Sequence, residues 1–139
     1  MGSTLMDYFN RAPRIGTLST AGADGRVDVA VFGSPRMTDE KTVVLGSGTN
    51  RTLENLRENP HAVHMIMKPG AGIMDWKGVR VYMTRKGILE SGPAFDEYRS
   101  MLARAVGEAA ASVTHALVTF EVIGARPIVD MGQGWEQSV

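Results

Sequence analysis

From Val44 to Thr52 the chain reads Val-Leu-Gly-Ser-Gly-Thr-Asn-Arg-Thr: a short apolar run, a glycine turn, and a helix start bearing hydroxyls and one arginine. Each part suits an anion. Gly46 and Gly48 let backbone N–H groups approach a ligand closely. The first turn of a helix offers unpaired N–H donors and a partial positive charge, and Arg51 adds a two-pronged cationic fork. Together they describe a phosphate site. A capped turn with a surface arginine has the same spacing, so both readings stand at this point. The segment is neither a GxxxxGK[ST] loop nor a GxGxxG fingerprint, and no βαβ unit surrounds it. That argues against ATP and dinucleotides.

Other routes to chemistry are narrow. The chain has no cysteine, which removes disulfides, thiolate metal sites and cysteine nucleophiles together. Three histidines remain. His61 and His64 lie three apart in the strand-like run HAVHMIM, where an odd spacing sends them to opposite faces, against a shared metal. No pairing of His64, Tyr82 and His115 within proton-transfer reach follows from the sequence, so no catalytic residue is assigned.

The elements that must position the phosphate segment are mostly strands. Arg14 to Thr20 and Val27 to Ser34 read as strands joined by a hairpin at Asp24-Gly25, where a primed turn needs positive φ. A polar turn at Thr38-Asp39-Glu40 leads to a third strand, Thr42 to Leu45, giving an antiparallel meander. Helical spacing follows from Thr52 to Glu58, with Thr49 or Asn50 as N-cap and Asn59-Pro60 as stop. The run Ala62 to Met67 is apolar on both faces apart from His64, which predicts a central strand. Val79 to Glu90 reads as a long strand with a bulge or bend at Gly87. A second helix begins at Gly92-Pro93, with Tyr98, Met101, Leu102, Ala105 and Val106 on one stripe. His115 to Gly124 is the last strand, and a tail runs from about residue 127. The opening Thr4 to Asn10 fits one or two helical turns. The order βββαββαβ disfavours a doubly wound parallel fold and predicts a mainly β architecture, an antiparallel barrel of six strands with flanking helices.

A length of 139 residues predicts one domain spanning 1–139. The composition is that of an ordinary globular chain, 43% hydrophobic and 22% charged, which argues against disorder. Fifteen basic side chains balance fifteen acidic ones, so no overall field recruits nucleic acid or an anionic membrane. The absence of a spanning apolar run and of a signal-like N-terminus predicts a cytoplasmic protein.

The stretches RIGTLSTAGADGRVDVAVFGSPRM and TVVLGSGTNRTLENLRENPHAVHMIM resemble the FMN-binding split-barrel family related to pyridoxamine-phosphate oxidase, in particular its small bacterial FMN-binding members. The resemblance is good from Arg14 to Lys68 and looser through Gly124. It implies a six-stranded antiparallel split β-barrel, FMN as noncovalent cofactor, and a homodimer with the flavin at the subunit interface. Matched to the family's motif, Arg51 and Thr52 are its phosphate-binding pair, and Gly46, Ser47, Thr49 and Asn50 line the phosphate and ribityl chain. Ala30, Val31 and Phe32 match strand positions beside the isoalloxazine. Trp76, Lys77 and the tail bearing Trp135 are candidates to complete the site from the partner chain. The implied function is an oxidoreductase passing hydride or electrons to or from a small-molecule donor or acceptor. A noncatalytic FMN or electron-transfer protein is the alternative, followed by a haem-binding split barrel with His61, His64 or His115 as axial ligand. The ending RPIVDMGQGWEQSV offers Arg126 and Trp135 but no cluster like the oxidase's substrate-phosphate signature, against specific pyridoxamine-phosphate oxidation.

Overall fold

A computed structural model describes residues 4–11 and 15–139. Arg14, expected to open the first strand, lies outside them. The order is α1 (Thr4–Phe9), β1 (Ile15–Ala21), β2 (Val27–Val31), β3 (Arg36–Asp39), β4 (Thr42–Ser47), α2 (Arg51–Glu58), β5 (His61–Lys68), β6 (Lys77–Leu89), α3 (Pro93–Ala105), α4 (Glu108–Ser112) and β7 (Ala116–Pro127). Short 3-10 turns sit at Ile73–Asp75 and Trp135–Ser138. Among the described residues no helix is long and apolar enough to cross a membrane.

The sheet has seven strands rather than the expected six, in the order β2-β1-β5-β6-β7-β4-β3, with every pairing antiparallel. The additional strand is β3, which lies beyond the expected run from Val27 to Ser34 and takes Thr38 and Asp39 from the expected polar turn, while β2 itself stops at Val31. Apolar alternation continues past Val31, but Gly33-Ser34-Pro35 interrupts the ladder, since proline has no N–H to donate and glycine weakens a strand. The chain leaves β2 at one edge of the sheet and enters β3 at the other, so β1, β2 and the next strand are not a meander. Residues 32–35 span at most about 18 Å between flanking Cα atoms, whereas seven flat strands would be about 29 Å across. The sheet must therefore curl until its edges approach. The Phe32 amide donates to the Gly16 carbonyl on β1 at 3.1 Å, and the Ser34 hydroxyl donates to the Gly46 carbonyl on β4 at 3.2 Å. Connecting chain, not a strand ladder, links the two edges.

Inward residues of β1, β4, β6 and β7 supply the core: Leu18, Val43, Leu45, Val79, Val81, Val118 and Phe120 are completely buried. From one side α2 adds Leu53 and Leu56, and α1 adds Phe9. As expected, β5 lies inside the sheet, His61 and His64 face opposite ways, and the β6 register slips between Arg85 and Gly87. At the start of α3, Gly92 has φ +102 directly before Pro93. That helix buries Phe95 and Tyr98, while Met101 and Val106 of the expected stripe are exposed.

One polar knot secures the far end of β6 and β7. Arg80 and Arg126 stand directly opposite across the sheet, a repulsive pairing by itself. Asp130 bridges them, accepting from Arg80 at 2.7 Å and from Arg126 at 2.5 and 3.0 Å. The Arg126 hydrogen bond, helped by the Gly132 amide, holds the Asp130 carboxyl down at about 2 from 3.8. A carboxyl depressed in the fold contributes stability above its unfolded pKa and loses it as pH falls through the folded one. Wild type should accordingly lose an increment of melting temperature between about pH 4 and pH 2 that Asp130→Asn lacks, with the variant already destabilised at neutral pH. Parallel thermal melts across that range check both.

Candidate functional site

The start of α2 is set by Asn50. Its backbone is extended, its Oδ1 accepts the Leu53 N–H at 2.9 Å, and its carbonyl accepts the Glu54 N–H at 3.1 Å. Of the two caps the sequence allows, Asn50 is the one used. The buried Ser47 hydroxyl donates to the Gly48 carbonyl at 3.0 Å and lies 3.4 Å from Asn50 Oδ1, fixing the turn from inside. Thr52, directly behind the cap, is buried, and Thr49 is exposed. The N–H groups of Arg51 and Thr52 precede the first intrahelical acceptors and are the donors such an end offers a ligand.

Arg51 is exposed and forms no ion pair among the described residues. It opens on a cavity of about 350 Å³ shared with Asp24, Arg26, Asp28, Asn55 and Glu58. Two of the carboxylates there already have partners within the same rim. Glu58 accepts the Ala23 N–H at 3.2 Å, and Asp24 accepts the Arg26 N–H at 3.0 Å while pairing with its guanidinium at 3.6 Å. Asn55 donates to the Thr20 hydroxyl at 3.1 Å, clamping the β1–β2 hairpin onto α2. Arg51 is left as the unengaged cation of this corner.

The two glycines that point to a ligand in the sequence have a different structural cause. A Cβ at Gly46 would stand 2.7 Å from the Tyr98 ring and 3.1 Å from the Thr114 methyl, and one at Gly48 would stand 3.0 Å from the Val113 carbonyl. Both backbone stretches are pressed against α3 and the turn after α4. Tyr98 is hydrogen-bonded to the Gly46 backbone and the Ser34 side chain, and burial raises its pKa against those bonds. This corner depends on a tyrosine 52 positions away in the chain, a dependence that strand and turn spacing do not carry.

Ala30, Val31 and Phe32 lie at the end of β2 away from that cavity. Ala30 pairs with the buried Leu18 and faces inward, Val31 is 80% exposed, and Phe32 packs on the core. Their side chains thus cannot line one surface together. What they share is position on or just after a strand with no partner along its outer edge; Phe32 spends its N–H on the Gly16 carbonyl, and Val31, at the alternate position, turns its backbone N–H and C=O to the free edge. Trp135 packs against the core of its own chain. Trp76 ends a 3-10 turn and is half-buried, and Lys77 is exposed. The structure therefore gathers Ser47, Thr49, Asn50, Arg51 and Thr52 at one corner, sets Ala30 to Phe32 further along the adjacent edge strand, and leaves Trp135 apart from both.

The outer sheet face was missed in the sequence. Val27, Val29 and Val31 are 85%, 63% and 80% exposed, and Ile123 on β7 is 60% exposed. The Val29 row continues across the sheet through Ser19, Val63 and Tyr82. Alternation in β2 is visible in the sequence, but nothing there says that its valine face points away from the core.

An all-antiparallel, curled but unclosed sheet with helices, bearing a capped helix start and an exposed arginine after its fourth strand, defines the class. The chain belongs to the pyridoxamine 5'-phosphate oxidase family, whose model matches residues 5–128. In fold it is similar to an FMN-binding protein from Syntrophomonas wolfei subsp. wolfei, at TM-score 0.70 and 23% identity over 82% of this chain and 76% of that one. It is also similar to HutZ, the haem storage protein from Vibrio cholerae, at TM-score 0.68 and 15% identity, covering 96% of this chain and 100% of that one. An F420 reductase is similar at TM-score 0.64 and 16% identity, over 90% and 98% respectively. No curated protein sequence matches the chain. The donor set at the corner, a free guanidinium with helix N–H groups and hydroxyls, fits the phosphate of FMN.

Proposed function

We propose that the chain is a cytoplasmic flavoprotein that binds FMN noncovalently at the seam of a homodimer and serves as an oxidoreductase for a small-molecule electron donor or acceptor. The unengaged Arg51 at the capped start of α2, in a chain of this family, is the observation that carries the reading. Arg51 and the first α2 N–H groups hold the phosphate, with Thr49 and Thr52 as hydroxyl partners. The free edge of β2 at Val29 and Val31 offers backbone groups to the polar rim of the ring system. The apolar outer face of Val27, Val29 and Val31 meets the second copy, and together they exclude water from the ring. Bound FMN would supply the hydride and electron chemistry, so that no side chain has to.

Added FMN should raise the melting temperature by several degrees, since a ligand at a hundredfold excess over its Kd stabilises by about 2.7 kcal/mol. The flavin absorption should also stay with the protein through gel filtration. Protein that neither shifts nor retains colour would sink the reading. Bleaching of bound flavin by NADH or NADPH separates a turning-over enzyme from an electron carrier.

A further inference from the structure

The side chains expected to line the sugar chain of a flavin are spent on other work. Ser47 donates its hydroxyl to the Gly48 carbonyl and Asn50 Oδ1 accepts the Leu53 N–H, while Thr49 and Thr52 belong with the phosphate. Sugar-alcohol hydroxyls next to that phosphate therefore need an acceptor from another element.

The cavity beside Arg51 holds one. Of the carboxylates on its lining, Asp24 is paired with Arg26 and Glu58 accepts the Ala23 N–H, whereas the Asp28 side chain has no ion pair or hydrogen bond among the described residues. Its direction follows from strand alternation. Val27 and Val29 on either side are exposed, and Asp28 is half-buried on the inward face of β2, opposite Thr20. The Thr20 hydroxyl accepts from Asn55, which lies one turn after Arg51 on α2 and lines the same cavity. Asp28 and Arg51 thus reach one space from two elements without meeting as an ion pair.

An uncommitted guanidinium and an uncommitted carboxylate on one lining ask for a ligand with an anionic group and, next to it, hydroxyl donors. The spacing along β2 agrees. Val29 and Val31, whose backbone groups turn to the free edge, lie about 3 and 10 Å further along the strand than Asp28 at the usual rise per residue. Asp28 stands between the phosphate corner and the edge offered to the ring. Resting on the flavin reading of this corner, we propose that Asp28 accepts the sugar-alcohol hydroxyls adjoining the phosphate, which makes the corner selective for a polyol phosphate.

A carboxylate near a phosphate also repels it, so the sign of one substitution decides. Asp28→Ala should weaken FMN binding about tenfold or more, the scale of one hydrogen bond to a charged group. Asp28→Asn should lie between, because its amide oxygen still accepts. Calorimetric titration of the full chain gives these constants, and ribitol 5-phosphate compared with pentyl phosphate isolates the hydroxyls on wild type without any variant. The polyol should bind about tenfold more tightly than the alkyl phosphate, and Asp28→Ala should erase that preference. FMN held as tightly or more tightly by Asp28→Ala, or equal affinity of wild type for the two phosphates, overturns the proposal and leaves the flavin reading standing. A wild type that binds neither FMN nor either phosphate overturns both.

Discussion

The double substitution Val29→Glu with Val31→Glu should convert the proposed dimer into a monomer and abolish its proposed FMN binding. Each valine buried at a seam is worth about 1.5–3 kcal/mol, and each carboxylate forced into the same place costs several more unless it finds a partner. Two per chain, repeated in both copies of a symmetric interface, exceed the factor of a hundred in dissociation constant that centrifugation resolves readily. The fold should survive, because both side chains already face solvent in the single chain. Sedimentation equilibrium with circular dichroism checks the two halves separately. A wild type that is monomeric at all concentrations, or a variant that stays dimeric, would remove this face from the interface.

Arg51→Ala should weaken FMN binding by about 1–3 kcal/mol, or about 5- to 150-fold in Kd, as expected for a lost charge-assisted hydrogen bond. Because Arg51 has no ion-pair partner among the described residues, its removal should leave the stability of the flavin-free protein within about 0.5 kcal/mol of wild type. Arg51→Lys should lie between the two, retaining charge without the planar fork. Fluorescence quenching of FMN titrated with each protein gives the three constants. Equal constants for wild type and alanine variant would place the phosphate elsewhere.

Where the sequence was legible, the signal was local. Asn50 announces a helix start because its side chain reaches three residues ahead, and Gly25, with φ +85, announces a turn because few other residues tolerate that backbone. The opposite faces of His61 and His64 follow from strand parity alone. Where it was not, the cause was long-range. Gly46 and Gly48 read as room for a ligand, while the crowding of Tyr98 and Val113 against them, a packing demand, has no local signal. The valines of β2 alternate in the same way whether their face meets a core or solvent. The break at Gly33-Ser34-Pro35 is written in the chain, but its meaning, a passage between opposite edges of a sheet, depends on β7 lying between β6 and β4. Helix α4 is only five residues long, too short for a periodic signal.

That insertion of β7 has a consequence during synthesis. Strand β4 pairs Thr42 with Glu121 and Ser47 with Ala116, so its inner edge must wait for chain made some seventy residues later. Strand β6 waits on the same segment, from Val79 against Pro127 to Leu89 against Leu117. A nascent chain that has not passed Ala116 therefore carries two bare strand edges, each a template for pairing with a neighbouring chain. Strand β7 covers both at once, and a premature stop before it would yield a sticky product rather than a smaller folded domain.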